Sequence, residues 1–143
     1  MKRIVCDENI RVNRWVAERM GQVSWADCRS IGLEKDGELV AGVVYDYFNH
    51  ANVCMHVAGV GKHWLNREYL WYCFYYPFEQ LKVRRVTGLI AETNTDSRRF
   101  AVGLGFEYEA RLQGAHPTGD LLVYRMFKDQ CRWLGLKERH GQA

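Results

Sequence analysis

Two strand-like runs decide the fold: Asn52-Val53-Cys54-Met55-His56-Val57-Ala58-Gly59, and Val83-Arg84-Arg85-Val86-Thr87-Gly88-Leu89-Ile90-Ala91-Glu92. In the first, Val53, Met55 and Val57 alternate with Cys54, His56 and Ala58, so a strand here carries two faces of different chemistry. Gly59-Val60-Gly61 ends it. The second has the branched residues of a buried strand. Between them Asn66 is placed to cap a helix with Leu70, Phe74, Phe78 and Leu81 at helical spacing, and Pro77 kinks that helix or shifts its last turn. A strand, a helix and a second strand in this order predict parallel neighbours joined by a right-handed crossover.

Working outward, Asn9 to Met20 places Ile10, Val12, Trp15, Val16 and Met20 along a helical stripe closed by Gly21. Cys28 to Lys35 and Glu38 to Phe48 flank Asp36-Gly37, a strong hairpin signal. After the second decisive strand, Asn94 to Leu104 reads as a short helix capped by Asn94 or Asp96 and closed by Gly105. Phe106 to Leu112 and Leu121 to Phe127 are two last strands, joined by a loop containing Gly114, Pro117 and Gly119. The order α, β-β-β, α, β, α, β-β predicts an α/β fold with a central mixed sheet flanked by helices.

Composition bounds the rest. A chain of 143 residues is expected to form one domain, 1–143, and 48% hydrophobic with 13% aromatic residues excludes disorder. No apolar run approaches the ~20 residues of a membrane helix. The charged start, Met1 to Glu8, has no apolar stretch behind it, so residence in the cytoplasm without a secretory signal is expected. Five widely spaced cysteines without a C-x-x-C pair encode neither a disulfide framework nor a zinc site, and no metal is expected. A net charge of +3 favours small anionic ligands but is far from that of a dedicated nucleic-acid binder.

The stretch Tyr76-Pro77-Phe78, Val86 to Asn94, Ser97-Arg98-Arg99 and Leu104-Gly105-Phe106, with Gly119 to Met126 and Cys131 to Leu134, carries a resemblance. It is similar to the GNAT superfamily of acetyl-CoA-dependent N-acetyltransferases, over about residues 9 to 134. The subgroup it looks like acetylates ribosomal-protein and other N-termini or small amines, particularly in bacteriophage and prophage genomes. The resemblance implies a cytoplasmic enzyme that transfers an acetyl group from acetyl-CoA to a primary amine by direct attack. It also implies that acetyl-CoA lies between the two decisive strands, with its pyrophosphate on amides at the N-terminus of the helix between them. That assigns cofactor binding to Val57, Gly59, Gly61, Lys62, His63, Trp64, Leu65 and Asn66. The family's usual downstream glycine is missing from this loop. It is not a nucleotide P-loop either, since His56 stands at the first glycine and His63 at the Ser/Thr.

By the same resemblance Asn94 holds the pantetheine arm, with the helix-cap role open beside it. Arg98 and Arg99 are assigned to the phosphates, the alternative being solvated surface arginines. Transfer to an amine needs a proton acceptor. Glu92, at the C-terminal end of a central strand, is the first candidate, against a salt bridge with Arg84, Arg85 or Arg111. His56 is the second, against a satisfied core histidine. Many relatives carry a Tyr as general acid where Ala101 stands, so the leaving thiolate is assigned to solvent or a group such as Tyr108.

The aromatic cluster Tyr69, Trp71, Tyr72, Phe74, Tyr75 and Tyr76 has helical spacing, which assigns it to the core or a homodimer interface rather than to base stacking. Two other readings stay open: a phage-type enzyme of the same fold modifying a nucleic-acid base, and a non-catalytic module. The former requires Lys82, Arg84, Arg85, Arg98, Arg99 and Arg132 to form one basic face.

Overall fold

The computed structural model describes residues 1–61 and 66–135. Its elements are β1 (Lys2–Val5), α1 (Asn9–Met20), β2 (Arg29–Lys35), β3 (Glu38–Asp46), β4 (Asn52–Gly59), α2 (Arg67–Tyr75), β5 (Arg85–Ala91), α3 (Thr95–Leu104), β6 (Glu107–His116) and β7 (Gly119–Phe127). The strands form one sheet in the order β1-β2-β3-β4-β5-β7-β6, and every pairing is antiparallel except β4 with β5. The mixed α/β sheet and the parallel crossover through α2 agree with the expectation from sequence.

Local chemistry accounts for most boundaries. Asp36 and Gly37 both take positive φ, at 52° and 87°, as a tight two-residue hairpin demands. Gly21 and Gly105 close α1 and α3 in the left-handed conformation. Pro77 cannot donate within a helix, and from Tyr76 to Gln80 the chain widens into a π-turn with Leu81 N–H bonded to the Tyr76 carbonyl at 3.0 Å.

Two features differ from the sequence reading. β1 was not expected; four residues with one fully buried side chain, Val5, carry too little pattern, yet they pair with β2 along the sheet edge. The expected loop between the last strands is instead a two-residue turn, Pro117-Thr118, with His116 opposite Gly119. Gly114, at φ +66°, is absorbed in an irregular stretch of β6 rather than ending the strand.

The sheet separates two cores. On one face Ile31, Val43, Tyr45, Val53, Val86 and Met126 meet Tyr69, Phe74 and Phe78 with Ala101 and Leu104 of α3. Tyr69 donates its hydroxyl to the Ile31 carbonyl at 2.8 Å and Tyr45 donates to that of Cys73, so both buried phenols are satisfied. On the other face α1 sets Val12 and Val16 against Val5, Leu39 and Val44. Gly42 lies beneath this helix; a Cβ there would stand 2.6 Å from Val16, so only glycine admits the close approach. The outer aromatic residues of α2 are half-buried: Trp71 stacks on Tyr75 at 4.4 Å and donates to the Leu134 carbonyl.

Candidate active site

The crossover strands part after a short seam. β4 and β5 pair only at Asn52–Arg85, Val53–Val86 and Cys54–Thr87. Beyond that point β4 continues on β3 as far as Gly59, and β5 continues on β7 as far as Ala91. The two halves of the sheet diverge, and among the described residues the facing edges of Met55–Gly59 and Gly88–Ala91 have no strand partner. Burial follows the parting: Val53, Cys54, Met55, Val86 and Thr87 are buried, whereas the later residues of both strands are half-buried or exposed. At the closed end Thr87 donates to Asn52 Oδ1 at 2.6 Å and accepts from Arg85 at 3.0 Å, tying the strands together.

Both edges of the opening present backbone donors and acceptors that no strand pairs among the described residues, groups that demand partners when water is displaced. Gly88 stands at its start on β5, and a Cβ built there meets nothing within 4 Å. An extended arm carrying amides fits such a gap, pairing with the strand edges as a further strand would.

His56 lies on β4 two residues past the seam, on the face turned toward α1. Its Nε2 is 2.7 Å from Asp46 Oδ1, and the two side chains are 11% and 20% exposed. A carboxylate only accepts, so Nε2 carries a hydrogen, and Nδ1 makes no hydrogen bond among the described residues. The Trp25 ring stacks on the imidazole at 4.6 Å and 22°. Neither Asp46 nor Trp25 was singled out from sequence. Asp46 reaches His56 through the β3–β4 register, which sets Asp46 opposite Cys54 and Val44 opposite His56; Trp25 comes from an irregular loop that carries no periodic signal.

The other expected residues are distributed around this opening. Val57 and Gly59 lie on the free part of β4, and Gly61 follows with φ +60°. Asn66 caps α2, accepting from Tyr69 N–H at 3.0 Å. Lys62, His63, Trp64 and Leu65 lie outside the described residues. Asn94 caps α3 through Oδ1, accepting from Ser97 N–H at 3.2 Å, and its amide nitrogen takes no part in that cap. Arg98 is built into the scaffold, donating to the Tyr124 hydroxyl and the Glu92 carbonyl, while Arg99 is exposed.

Two residues are not brought to His56. The Glu92 carboxylate, one residue past β5, turns toward β6 and pairs with Arg111 at 2.8 Å. Tyr108 is 52% exposed on β6, edge-on to Tyr124, and is separated from β5 by β7. Surface grooves beside α1, at Asp7, Arg11 and Trp15, and at the start of β5, at Lys82, Arg84 and Phe127, lie apart from the opening.

A sheet with one parallel pair that parts into a cleft, crossed over by a helix, is the GNAT acyl-CoA N-acyltransferase fold, and solved structures bear this out. A point variant of spermidine N-acetyltransferase from Vibrio cholerae matches with a TM-score of 0.73 at 14% identity, over 96% of this chain and 97% of that one. A GNAT-family acetyltransferase from Bacillus anthracis matches with a TM-score of 0.56 at 19% identity, over 70% of this chain and 66% of that one. No protein-family model matches the sequence, and no curated protein matches it. No helix among the described residues is long and apolar enough to cross a membrane.

Proposed function

We propose that this protein is an N-acetyltransferase that moves an acetyl group from acetyl-CoA to a primary amine by direct attack. The observation that carries the reading is the parting of β4 from β5 after three residue pairs, with a carboxylate-oriented imidazole on the rim. The fold shared with acetyltransferases supports it, as does the sequence resemblance.

The amide-bearing arm would run between the free edges of Met55–Gly59 and Gly88–Ala91, with Asn94 at its side. The phosphates would meet the loop from Gly59 to Asn66, the first turn of α2 and the exposed Arg99; Arg98 supports α3 from behind. Acetyl-CoA supplies an acyl thioester, whose C–S bond is exchanged for a C–N bond, the amine proton ending on the released thiol. His56 Nδ1 takes the proton from the incoming amine, directly or through one water, while Asp46 holds the ring and stabilises its charged form. Glu92, the first candidate from sequence, would have to leave Arg111 to serve; His56 is free of that cost.

The basic-face condition for a nucleic-acid substrate has little support. Arg85 is engaged by Glu109, and Arg132 donates to the Gly103 carbonyl. Lys82 and Arg84 precede β5 and Arg98 and Arg99 follow it on α3, with the strand's seven extended residues, about 23 Å, between the two groups.

Calorimetric titration with acetyl-CoA followed by thiol-release assays on N-terminal peptides, polyamines and aminoglycosides tests the proposal. Saturable binding with turnover of at least one amine is the expected result. Absence of binding would favour the non-catalytic module, and binding without any amine turnover would redirect the search to nucleic acid.

A further inference from the structure

The loop between α1 and β2 has no regular structure, yet it is held from the buried side of α1. Asn13 is 7% exposed among Val12, Val16 and Ala17. Its amide makes a two-point contact with the backbone of Trp25, donating to the carbonyl at 2.7 Å and accepting from the N–H at 3.1 Å. It also lies 2.9 Å from the Cys28 sulfur. One turn earlier Asn9 donates to the Cys28 carbonyl at 2.8 Å and accepts from Ser30 at 2.7 Å. Between these anchors Asp27 takes φ +48°, a conformation a non-glycine residue adopts at some cost.

A buried asparagine on an apolar helix face is destabilising unless its amide is fully engaged. Here both amide atoms are engaged with the backbone of one residue, Trp25, whose ring stacks over His56. The imidazole is left with one ring face under the indole and Nε2 on Asp46. The Trp25 indole is thus an apolar wall over one face of the imidazole. On β5, Leu89 is half-buried and shares the sheet face of Thr87, as His56 on β4 shares that of Cys54.

Resting on the acetyl-transfer reading, we infer that Trp25 determines acceptor specificity, admitting slim primary amines borne on an unbranched methylene and excluding those branched at the adjacent carbon. Asn13 is a positioning residue that acts through Trp25. An amine on a CH₂ can bring its nitrogen to the imidazole edge beside the indole; a substituent on that carbon meets the indole. On this inference an amino-terminal peptide nitrogen, which is always borne on a branched carbon unless the first residue is glycine, is a poor acceptor.

The test compares n-butylamine with sec-butylamine, of equal composition, on the full chain with saturating acetyl-CoA. The native protein should favour the straight-chain amine in kcat/KM by at least about tenfold, the order that one misplaced carbon produces in a shaped pocket. Trp25→Ala and Asn13→Ala should bring the two rates together, and Trp25→Phe should retain the preference. Calorimetric acetyl-CoA affinity close to native identifies the variants that remain folded. In parallel, the rate of His56 modification by diethyl pyrocarbonate, read by mass spectrometry, should rise in Trp25→Ala and in Asn13→Ala. A folded Trp25→Ala with an unchanged amine ratio, or a native protein that uses both amines equally, overturns the inference and leaves acetyl transfer standing. If native protein acetylates no amine, acetyl transfer itself fails. The modification rate then still decides whether Trp25 shields His56, and an unchanged rate overturns that too.

Discussion

The two edges of β5 behave differently. Along β7 it is paired at all seven residues, Arg85 to Ala91, whereas along β4 it is paired at three. The residues are the same on both sides, so strand propensity does not explain the difference. What separates the edges is the company each strand keeps: β4 follows β3, β5 follows β7, and the two half-sheets twist apart. A closed seam stores its hydrogen bonds internally; an open one keeps them for something else. The fold therefore makes its candidate binding edge by withholding a pairing.

The largest effect should come from the rim of the open seam. His56→Gln is expected to lower turnover by about 10²- to 10⁴-fold while acetyl-CoA binding survives, the range typical for losing a positioned base. Glu92→Gln, whose carboxylate is held by Arg111, should leave turnover near native. Single-turnover assays on both variants check this, and the reverse ranking would move the base to Glu92 and break the link between the opening and the chemistry.

Filling the gap should come next. A Cβ at Gly88 meets no atom within 4 Å, so Gly88→Val should fold and gain thermal stability, by about 0.4–1 kcal/mol through the less flexible unfolded chain. Acetyl-CoA affinity should fall by about tenfold or more, close to 1.4 kcal/mol. Melting temperature and calorimetry together read this split; unchanged affinity would show the cofactor does not pass Gly88.

Asn94 gives a finer division between cap and ligand. Asn94→Asp keeps the oxygen that accepts from Ser97 but loses the amide donor, whereas Asn94→Ala loses both. Asn94→Ala should destabilise by about 1 kcal/mol and also weaken acetyl-CoA by about 1–2 kcal/mol. Asn94→Asp should keep the melting temperature and weaken binding alone. Equal binding by all three forms would return Asn94 to the cap.

Acid should distinguish the closed half of the sheet from the open seam. Glu34 on β2 accepts from Arg3 and Arg11, and these hydrogen bonds hold its carboxyl down at about 2. An unfolded glutamate titrates near 4.3, so the stabilisation is complete above that value and is lost as pH falls toward about 2. Melting temperature should drop across that window and drop less steeply in Glu34→Gln. Thermal melts between pH 5 and pH 2 read the difference, and parallel curves for the two proteins would remove Glu34 from the acid response.

Much of this could be read from the chain alone. Asp36-Gly37, Gly21, Gly105 and Pro77 act through their own backbone preferences, and each did so where it stands. The alternation in Asn52–Gly59 and the helix after Asn66 were enough to specify a parallel crossover, because one handed connection is nearly obligatory. The sequence likewise put His56 on the face opposite Met55 and Val57. Other features were decided only in three dimensions. β1 exists because β2 offers an edge to it, Pro117-Thr118 became the whole turn because β6 and β7 pair to their ends, and the parting of β4 from β5 is a property of two half-sheets rather than of any residue in them. The partners of His56 belong to this second class. Asp46 arrives by strand register and Trp25 by a loop pinned to a buried asparagine, and both depend on contacts between residues distant in sequence, which local propensity does not encode.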